Sequence, residues 1–335
     1  MPAFRNRPEG SNWGEFGEAD VLGRLNLLTP ERRMAALGEV KSGRTFALSL
    51  PLDYPGGNTL SAHRLPPVLE PSAHERGHGH YLKRMSEVGP FTDVINDDVA
   101  TLCLQYSTQW DALGHVGHMF DADGDGAPEP VFYNGHKPHA PGPDVAAGAC
   151  GHGLGIEHMA TCGLQGRGVM VNAFAAYGRT RQRIGYEELM KLIDDQGVEV
   201  RAGDLLCLYT GFADALLEQA KSPDAAMLRS SFGGLDGADE RLLAWITDSG
   251  VAALCSDNPA VEYVSAKPRS DQPHALLPLH EHCIFKLGMP LGELWFLTDL
   301  AQWLTANGRS SFFLTAPPLR LPGASGSPVT PVALV

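Results

Sequence analysis

The chain has 335 residues, 43% of them hydrophobic and 19% charged, which is enough apolar side chain for a sizeable core and excludes disordered and fibrous classes. Lys and Arg total 26 against 39 Asp and Glu, a net charge of −13, so nucleic acid and anionic membrane surfaces are not expected partners. Gly 38 and Pro 25 exceed the usual share without reaching low complexity, and they predict long ordered loops.

In chain order, the first predicted element is a helix over TPERRMAALGEV. Thr29 stands as N-cap, Pro30 at the first helical position, and Met34, Leu37 and Val40 follow at helical spacing. Alternation in TFALSL (45–50) predicts a strand. Residues 51–100 and 121–155 lack periodicity and hold much of the Gly, Pro and His, so they read as excursions over the surface that can line or cover a site. Strands are predicted in GVMVNAF from Gly168 and DLLCLYT from Asp204. Helices are predicted in YEELMKLIDD, ERLLAWITDSG and LGELWFLTDLAQWLTANG, with Gly250 and Gly308 just past the last turns. No repeat or linker divides the chain, so residues 1–335 are taken as a single domain of α/β class. The six cysteines form no CxxC pair and are expected to be buried small hydrophobes. No apolar leader-like region and no run near about 18 apolar residues occurs, and the expected compartment is the cytoplasm.

The chemistry-bearing stretch is LQYSTQWDALGHVGH, with Gln105, Gln109, Asp111 and His115 at spacings of four, two and four. On one continuous helix Gln109 and Asp111 would diverge by about 200°, so convergence requires the backbone to change direction between them. A strand or turn leading into a helix would do this. Asp111 and His115 would then share a helix face at i, i+4, offering a carboxylate and an imidazole for a metal or for proton transfer; a solvated helix face is the plainer reading of such a pair. Trp110 reads equally as core packing or as a wall of a substrate pocket. Glu293, in the first turn of its predicted helix, could simply complement the helix dipole. HERGHGH sets His74, His78 and His80 at four-then-two spacing and reads first as a solvated loop. DADGDG (121–126) begins like a calcium loop, but Phe132 stands where the bidentate glutamate belongs, so it reads as an acidic turn. GxSxG, Walker and GxGxxG motifs are absent from the sequence.

TQWDALGH resembles the HxGTHxDxPxH signature of the cyclase family, metal-dependent hydrolases that include bacterial kynurenine formamidase and isatin hydrolase. The resemblance extends over NWGEFGEADVLGRLNLLTPE, YNG at 133–135, GLQGRGVMVN from Gly163, GDLLCLYTG from Gly203, the SDNPAVE run from Ser256, PLHEHCIFKLGMPLGELW from Pro278 and the closing GSPVTPVALV. It implies a barrel-like mixed β core surrounded by helices, of the swivelling β/β/α kind, and assembly as a homodimer or homotetramer. It also implies hydrolysis of a small cyclic amide, lactone or aryl formamide through a metal-activated water. Position by position, the family's metal-binding histidines fall on Gln105 and Gln109, its metal-binding aspartate on Asp111, its proton-transfer histidine on His115, and its later ligands on His280 and Glu293. Tyr133 and Asn134, in the YNG turn, become candidates for shaping the pocket together with Trp110.

Glutamine offers only a neutral carbonyl oxygen, which suits Mn²⁺ or Mg²⁺ better than Zn²⁺. The expected cofactor is a divalent metal, Mn or Zn. Three arrangements follow: a metal on Asp111, His280 and Glu293 with help from a glutamine; substitute ligands from His74, His78 or His80; or no metal. The last would make the chain a non-catalytic binder of a small carbonyl compound, or a metal-independent enzyme using His115 as base.

Overall fold

The computed structural model describes residues 4–72, 80–138, 153–265, 271 and 273–335. Nine strands from both halves of the chain form one sheet: β1 (Thr45–Ala47), β2 (Gln109–Asp111), β3 (Gln165–Asn172), β4 (Leu205–Tyr209), β5 (Ala253–Ser256), β6 (Leu291–Glu293), β7 (Ser311–Thr315), β8 (Gly326–Pro328) and β9 (Val332–Leu334). Their order is β1-β9-β7-β3-β4-β5-β6-β2-β8. β3 to β6 run parallel, and the strands flanking this block pair antiparallel. The sheet curls into a half-barrel with helices around it, the mixed α/β architecture expected from the sequence.

The parallel strands are nearly continuous runs of buried residues, as expected of strands covered on both faces. Their side chains alternate between two cores. Met170, Leu205, Cys207 and Cys255 enter the core that holds Trp110, Trp295 and Phe312. Val169, Val171, Leu206, Leu208 and Leu254 enter the second, together with residues of the covering helices. Helix α2 (Tyr186–Gln196) contributes Leu189 and Leu192, and α3 (Glu240–Ser249) contributes Leu242 and Ile246, each pair at helical spacing. Asp239 caps α3 by accepting from Arg241 N at 2.9 Å, and Gly250 closes it at φ 69°, where a side chain would be strained.

Two predicted helices are shorter than their periodicity suggests. The first, α1, covers Pro30–Ala36 and tightens into a 3₁₀ turn over Leu37–Glu39; Thr29 does cap it, but Met34 and Leu37 are exposed and only Ala36 is buried. The apolar run from Leu291 begins as strand β6, because its backbone pairs with both β5 and β2. The chain leaves β6 through Leu294 at φ 53°, and the helix starts only at Thr298, running to Ala306. Glu293 is therefore a strand residue, and the helix-dipole reading of it falls.

The described parts of both excursions lie outside the nine-stranded sheet, as predicted. Within 51–100, Val68–Pro71 pairs with Asp98–Thr101 and Lys83–Arg84 with Val94–Ile95, forming an arm of two small ribbons. His80 lies in this arm with Nδ1 2.7 Å from Asp97 Oδ2, so its partner is the arm itself; His74 and His78 lie outside the described residues. In the second excursion Asp121 Oδ1 accepts from Gly124 N at 2.8 Å and Asp125 N at 3.1 Å, which holds DADGDG as an acidic turn. Cys207, Cys255 and Cys283 are buried as expected, whereas Cys103 and Cys162 are part-exposed, and Cys150 lies outside the described residues. Among the described residues no helix is long and apolar enough to cross a membrane.

Candidate metal centre and active site

A strand repeats every two residues, so β2 sends Gln109 and Asp111 to one face and Trp110 to the other. The change of direction required by the spacing is thus met by extended backbone. Antiparallel register sets Glu293 directly opposite Gln109 and Leu291 opposite Asp111, so Glu293 joins the same face. A short helix α4 (Pro278–His280), continuing as a π-helical turn over Glu281–Lys286, lays His280 across that face. Single π-turns of this kind recur at functional sites. Ligand atoms of Asp111, His280 and Glu293 lie within 4.8 Å of one another, and all three residues are buried.

Glu262 organises the group. Its carboxylate caps the helix by accepting from Leu279 N (3.2 Å) and His280 N (3.1 Å), and its Oε1 lies 2.6 Å from His280 Nδ1. That contact places the Nδ1 proton against Glu262 and turns Nε2 toward Glu293 Oε1 at 3.3 Å and Asp111 Oδ2 at 3.9 Å. A carboxylate behind the far nitrogen of a ligating histidine is the usual second partner at metal sites. The approach to Glu262 is strained, with Ala260 at φ 99° and Val261 at φ 58°, conformations that cost free energy and persist where the surroundings enforce them. Gly237 leaves room, since a Cβ there would come within 2.5 Å of Leu279 N and 2.9 Å of Glu262 Oε2.

The electrostatics are those of a buried anionic cluster. Burial pushes the Asp111 carboxyl up to about 6, with His115 opposing and Glu293 adding to the rise. Burial would drive His280 down, but hydrogen bonds to Glu262 and Glu293 outweigh it and hold the imidazole up at about 10. Burial would likewise raise Glu293, but the His280 hydrogen bond and charge keep it below the ordinary carboxylate range. Asp111 Oδ2 and Gln109 Oε1 are buried with no hydrogen-bond partner. Two carboxylates, one imidazole and an amide oxygen, two of these oxygens unpartnered, fit a divalent cation.

Gln109 occupies the centre as an amide donor: its Nε2 lies 3.0 Å from Asp111 Oδ1 and 3.0 Å from Glu293 Oε2. A half-turn of the amide would direct Oε1 into the space between the carboxylates. Gln105 is turned elsewhere, its Nε2 donating to Ser325 Oγ at 3.3 Å, so the two glutamines of the motif separate. His115 reaches the cluster through a turn and not along a helix. Its backbone N–H closes on Ala112 O at 2.9 Å, and its Nε2 stands 3.8 Å from Asp111 Oδ1. The imidazole is part-exposed and lines, with His280 and Glu293, the floor of a cleft of about 580 Å³.

The three expected pocket residues lie elsewhere. Trp110 is fully buried in the core, edge-on to Trp295 with ring centroids 5.0 Å apart, and its Nε1 donates to Ala316 O at 2.8 Å. Strand alternation is the reason, because a residue between two site residues must face away from them. Tyr133 and Asn134 anchor the N-terminal segment: Tyr133 Oη donates to Asp20 Oδ2 at 3.1 Å, and Asn134 Oδ1 accepts from Gly14 N at 2.9 Å. Burial beside Asp20 raises the Tyr133 phenol far above its ordinary value. Sequence reasoning missed Glu262, although it closes the SDNPAVE run already set apart, and it missed three arginines of the cleft, Arg64, Arg181 and Arg229.

The sequence model of the Putative cyclase family matches residues 47–263, more than half of the chain, and the chain belongs to that family. His280 and Glu293 lie beyond the matched residues. A solved structure described as a novel cyclase is 30% identical, covers 97% of each chain and superposes with a TM-score of 0.74. Isatin hydrolase A from Ralstonia solanacearum shares the fold at 17% identity, over 92% of this chain and 97% of its own, with a TM-score of 0.55. Isatin hydrolase A from Labrenzia aggregata, bound to benzyl benzoate, does so at 13% identity, over 90% and 95%, with a TM-score of 0.56. A search of curated proteins finds no match.

Proposed function

We propose that the protein is a metal-dependent hydrolase that opens a small cyclic amide or lactone or cleaves an aryl formamide. The observation that carries this reading is the buried Asp111–His280–Glu293 group, with Asp111 Oδ2 unpartnered within it and the Gln109 amide, whose Oε1 is also unpartnered, beside it. Asp111, Glu293 and His280 Nε2 would hold the ion, with Gln109 Oε1 as a fourth donor after its amide turns. An oxygen-rich set with a single imidazole favours Mn²⁺ over Zn²⁺. When bound, such an ion supplies Lewis acidity that polarises a carbonyl and acidifies water.

The remaining tasks fall to side chains. Glu262 keeps the His280 Nδ1 proton in place and so fixes which nitrogen faces the floor. His115, part-exposed at the cleft and 3.8 Å from Asp111, accepts a proton at its free nitrogen and returns it to the leaving group. Phe212, Leu228, Phe232 and Leu294 line the cleft and exclude water from the substrate's apolar body. We also propose a cytoplasmic protein that assembles as a homodimer or homotetramer; the exposed apolar residues of the arm support the assembly.

A second reading has its own support. Gln109 Nε2 donates to both carboxylates, which is how an amide would stand in for a cation in a non-catalytic member that binds a small carbonyl compound. Metal analysis of purified protein beside Asp111→Ala, joined to hydrolysis of a lactone and formamide panel with and without chelator, separates the two. One equivalent of metal lost with Asp111 and chelator-sensitive turnover support the hydrolase. Turnover in metal-free protein would sink it, and ligand binding without turnover in metal-loaded protein would favour the second reading.

A further inference from the structure

The cleft carries three guanidinium groups in a chain whose net charge is −13. Arg64 sits deepest. It is half-buried, its Nη1 donates to Gln105 O at 2.8 Å, and its charge lowers both Asp111 and Glu293. Arg181 and Arg229 stand at the mouth. Arg181 stacks over the Tyr263 ring, 4.4 Å from its centroid, and donates to Val264 O at 3.0 Å. Arg229 Nη2 lies 3.5 Å from Leu60 O. Each is thus tethered to a backbone carbonyl of the cleft wall with most of its five N–H donors uncommitted. Among the described residues none of the three is within ion-pair distance of a carboxylate, unlike the neighbouring Arg179, paired with Glu218, and Arg183, 3.5 Å from Asp236. The cleft's own carboxylates, Glu262 and Glu293, are already engaged by His280.

Guanidinium groups tethered at the wall of a largely apolar cleft without a carboxylate partner are available to an anion entering with the ligand. We propose that the substrate carries a carboxylate on an apolar, ring-sized body, with the carboxylate held by Arg64, Arg181 and Arg229 and the neutral scissile carbonyl over the floor. The inference deepens the hydrolase reading by naming its substrate class and rests on that reading for the carbonyl's position. Carboxylate recognition also restrains orientation: the anionic floor repels the carboxylate, and the arginine wall attracts it.

The test uses metal-free protein, so that binding to the wall is read apart from the floor. Benzoate, phenylacetate, 3-phenylpropionate and phthalate are each titrated calorimetrically against the matching primary amide. The expected result is at least one acid binding roughly tenfold or more tightly than its amide. That preference weakens with salt, is lost in the Arg181→Gln/Arg229→Gln double variant and is partly restored by Arg181→Lys. Amides binding as well as acids, a preference that survives the double variant, or no binding by any acid overturns the proposal. Metal content, measured separately, reports on the hydrolase reading, so either can fail alone.

Discussion

The floor of the cleft and the arm formed by the two small ribbons invert the normal distribution of side chains in opposite senses. The floor is polar where a core should be apolar: Gln109 and Asp111 are 0% exposed and Glu293 4%. The arm is apolar where a surface should be polar: Leu69 is 74% exposed, Val88 64% and Val94 55%. Single exposed hydrophobes are ordinary, but a contiguous set marks a binding surface, just as an unpartnered buried carboxylate marks a ligand. The lesson is that each region is incomplete in its own chemistry, the floor short of positive charge for its carboxylates and the arm lacking an apolar cover.

Removing the floor's central carboxylate is the hardest blow to that contrast. Asp111→Ala should abolish stoichiometric metal and lower kcat/KM by roughly a thousandfold or more, since the Lewis acid goes with its ligand. Metal content and turnover unchanged in this variant would mean that the floor is complete without a cation. His115→Ala should lower kcat by about a hundredfold or more while leaving metal content intact, because the residue lines the cleft without belonging to the donor set. Full activity in that variant refutes proton transfer by His115. Glu262→Gln should weaken metal binding or activity about 10–100-fold, the usual cost of losing the partner behind a ligating histidine. Circular dichroism would show whether the cap on α4 survives, and an unchanged metal dissociation constant would reduce Glu262 to a capping residue.

A smaller effect comes from a buried carboxylate outside the floor. Asp257 is fully buried, with Oδ1 accepting from Thr210 N and Oγ1 at 2.7 Å each and Oδ2 unpartnered. Burial pushes its carboxyl up to about 6, against the Thr210 hydrogen bonds, with Asp214 adding to the rise. The folded state then binds the proton more tightly than the unfolded state, whose carboxyl titrates near 3.9. Stability from this group is present below about pH 4 and is lost as pH rises through about 6, by on the order of 3 kcal/mol. Chemical melts of chelated wild type and Asp257→Asn across pH 4–7 should diverge with that sign, and parallel curves would refute it. The contrast with Asp111 is instructive. Both acids are raised by burial, and among the described residues Asp111 has neighbours that could share a cation with it.

Part of the sheet was legible because buried parallel strands write themselves as short apolar runs, as in the runs from Gly168 and at Leu205–Tyr209. The floor was legible only with a resemblance in hand: spacing alone cannot bring Asp111, His280 and Glu293 together, since sheet register and a helix laid across it do that. Two local shortfalls have one cause. Glu293 read as helical, and Trp110 stayed open between core and pocket wall, because apolar periodicity does not distinguish a three-residue strand from the start of a helix. Glu262 was hidden because it acts through His280, and its left-handed approach at Ala260 and Val261 uses residues that do not announce positive φ. The arginine wall was hidden because Arg64, Arg181 and Arg229 are distant in sequence and converge only across loops.

The arm gives the smallest effect per chain and the clearest separation of the two regions. In its longer ribbon Val68 faces Thr101 and Leu69 faces Ala100, so successive apolar side chains point to both faces, and an isolated two-stranded ribbon has little stability of its own in water. A second copy of the chain supplies the missing cover under the homo-oligomer proposal. Leu69→Ser with Val88→Ser should therefore shift sedimentation toward the monomer while changing the monomer's own unfolding free energy by no more than about 0.5 kcal/mol per site. Metal content should not move, because among the described residues the arm adds no ligand to the Asp111 group. An unaltered sedimentation profile would show that the arm's apolar surface does not hold copies together. Loss of metal in the same variant would show that the two regions are coupled, and their contrast would then describe two halves of one site.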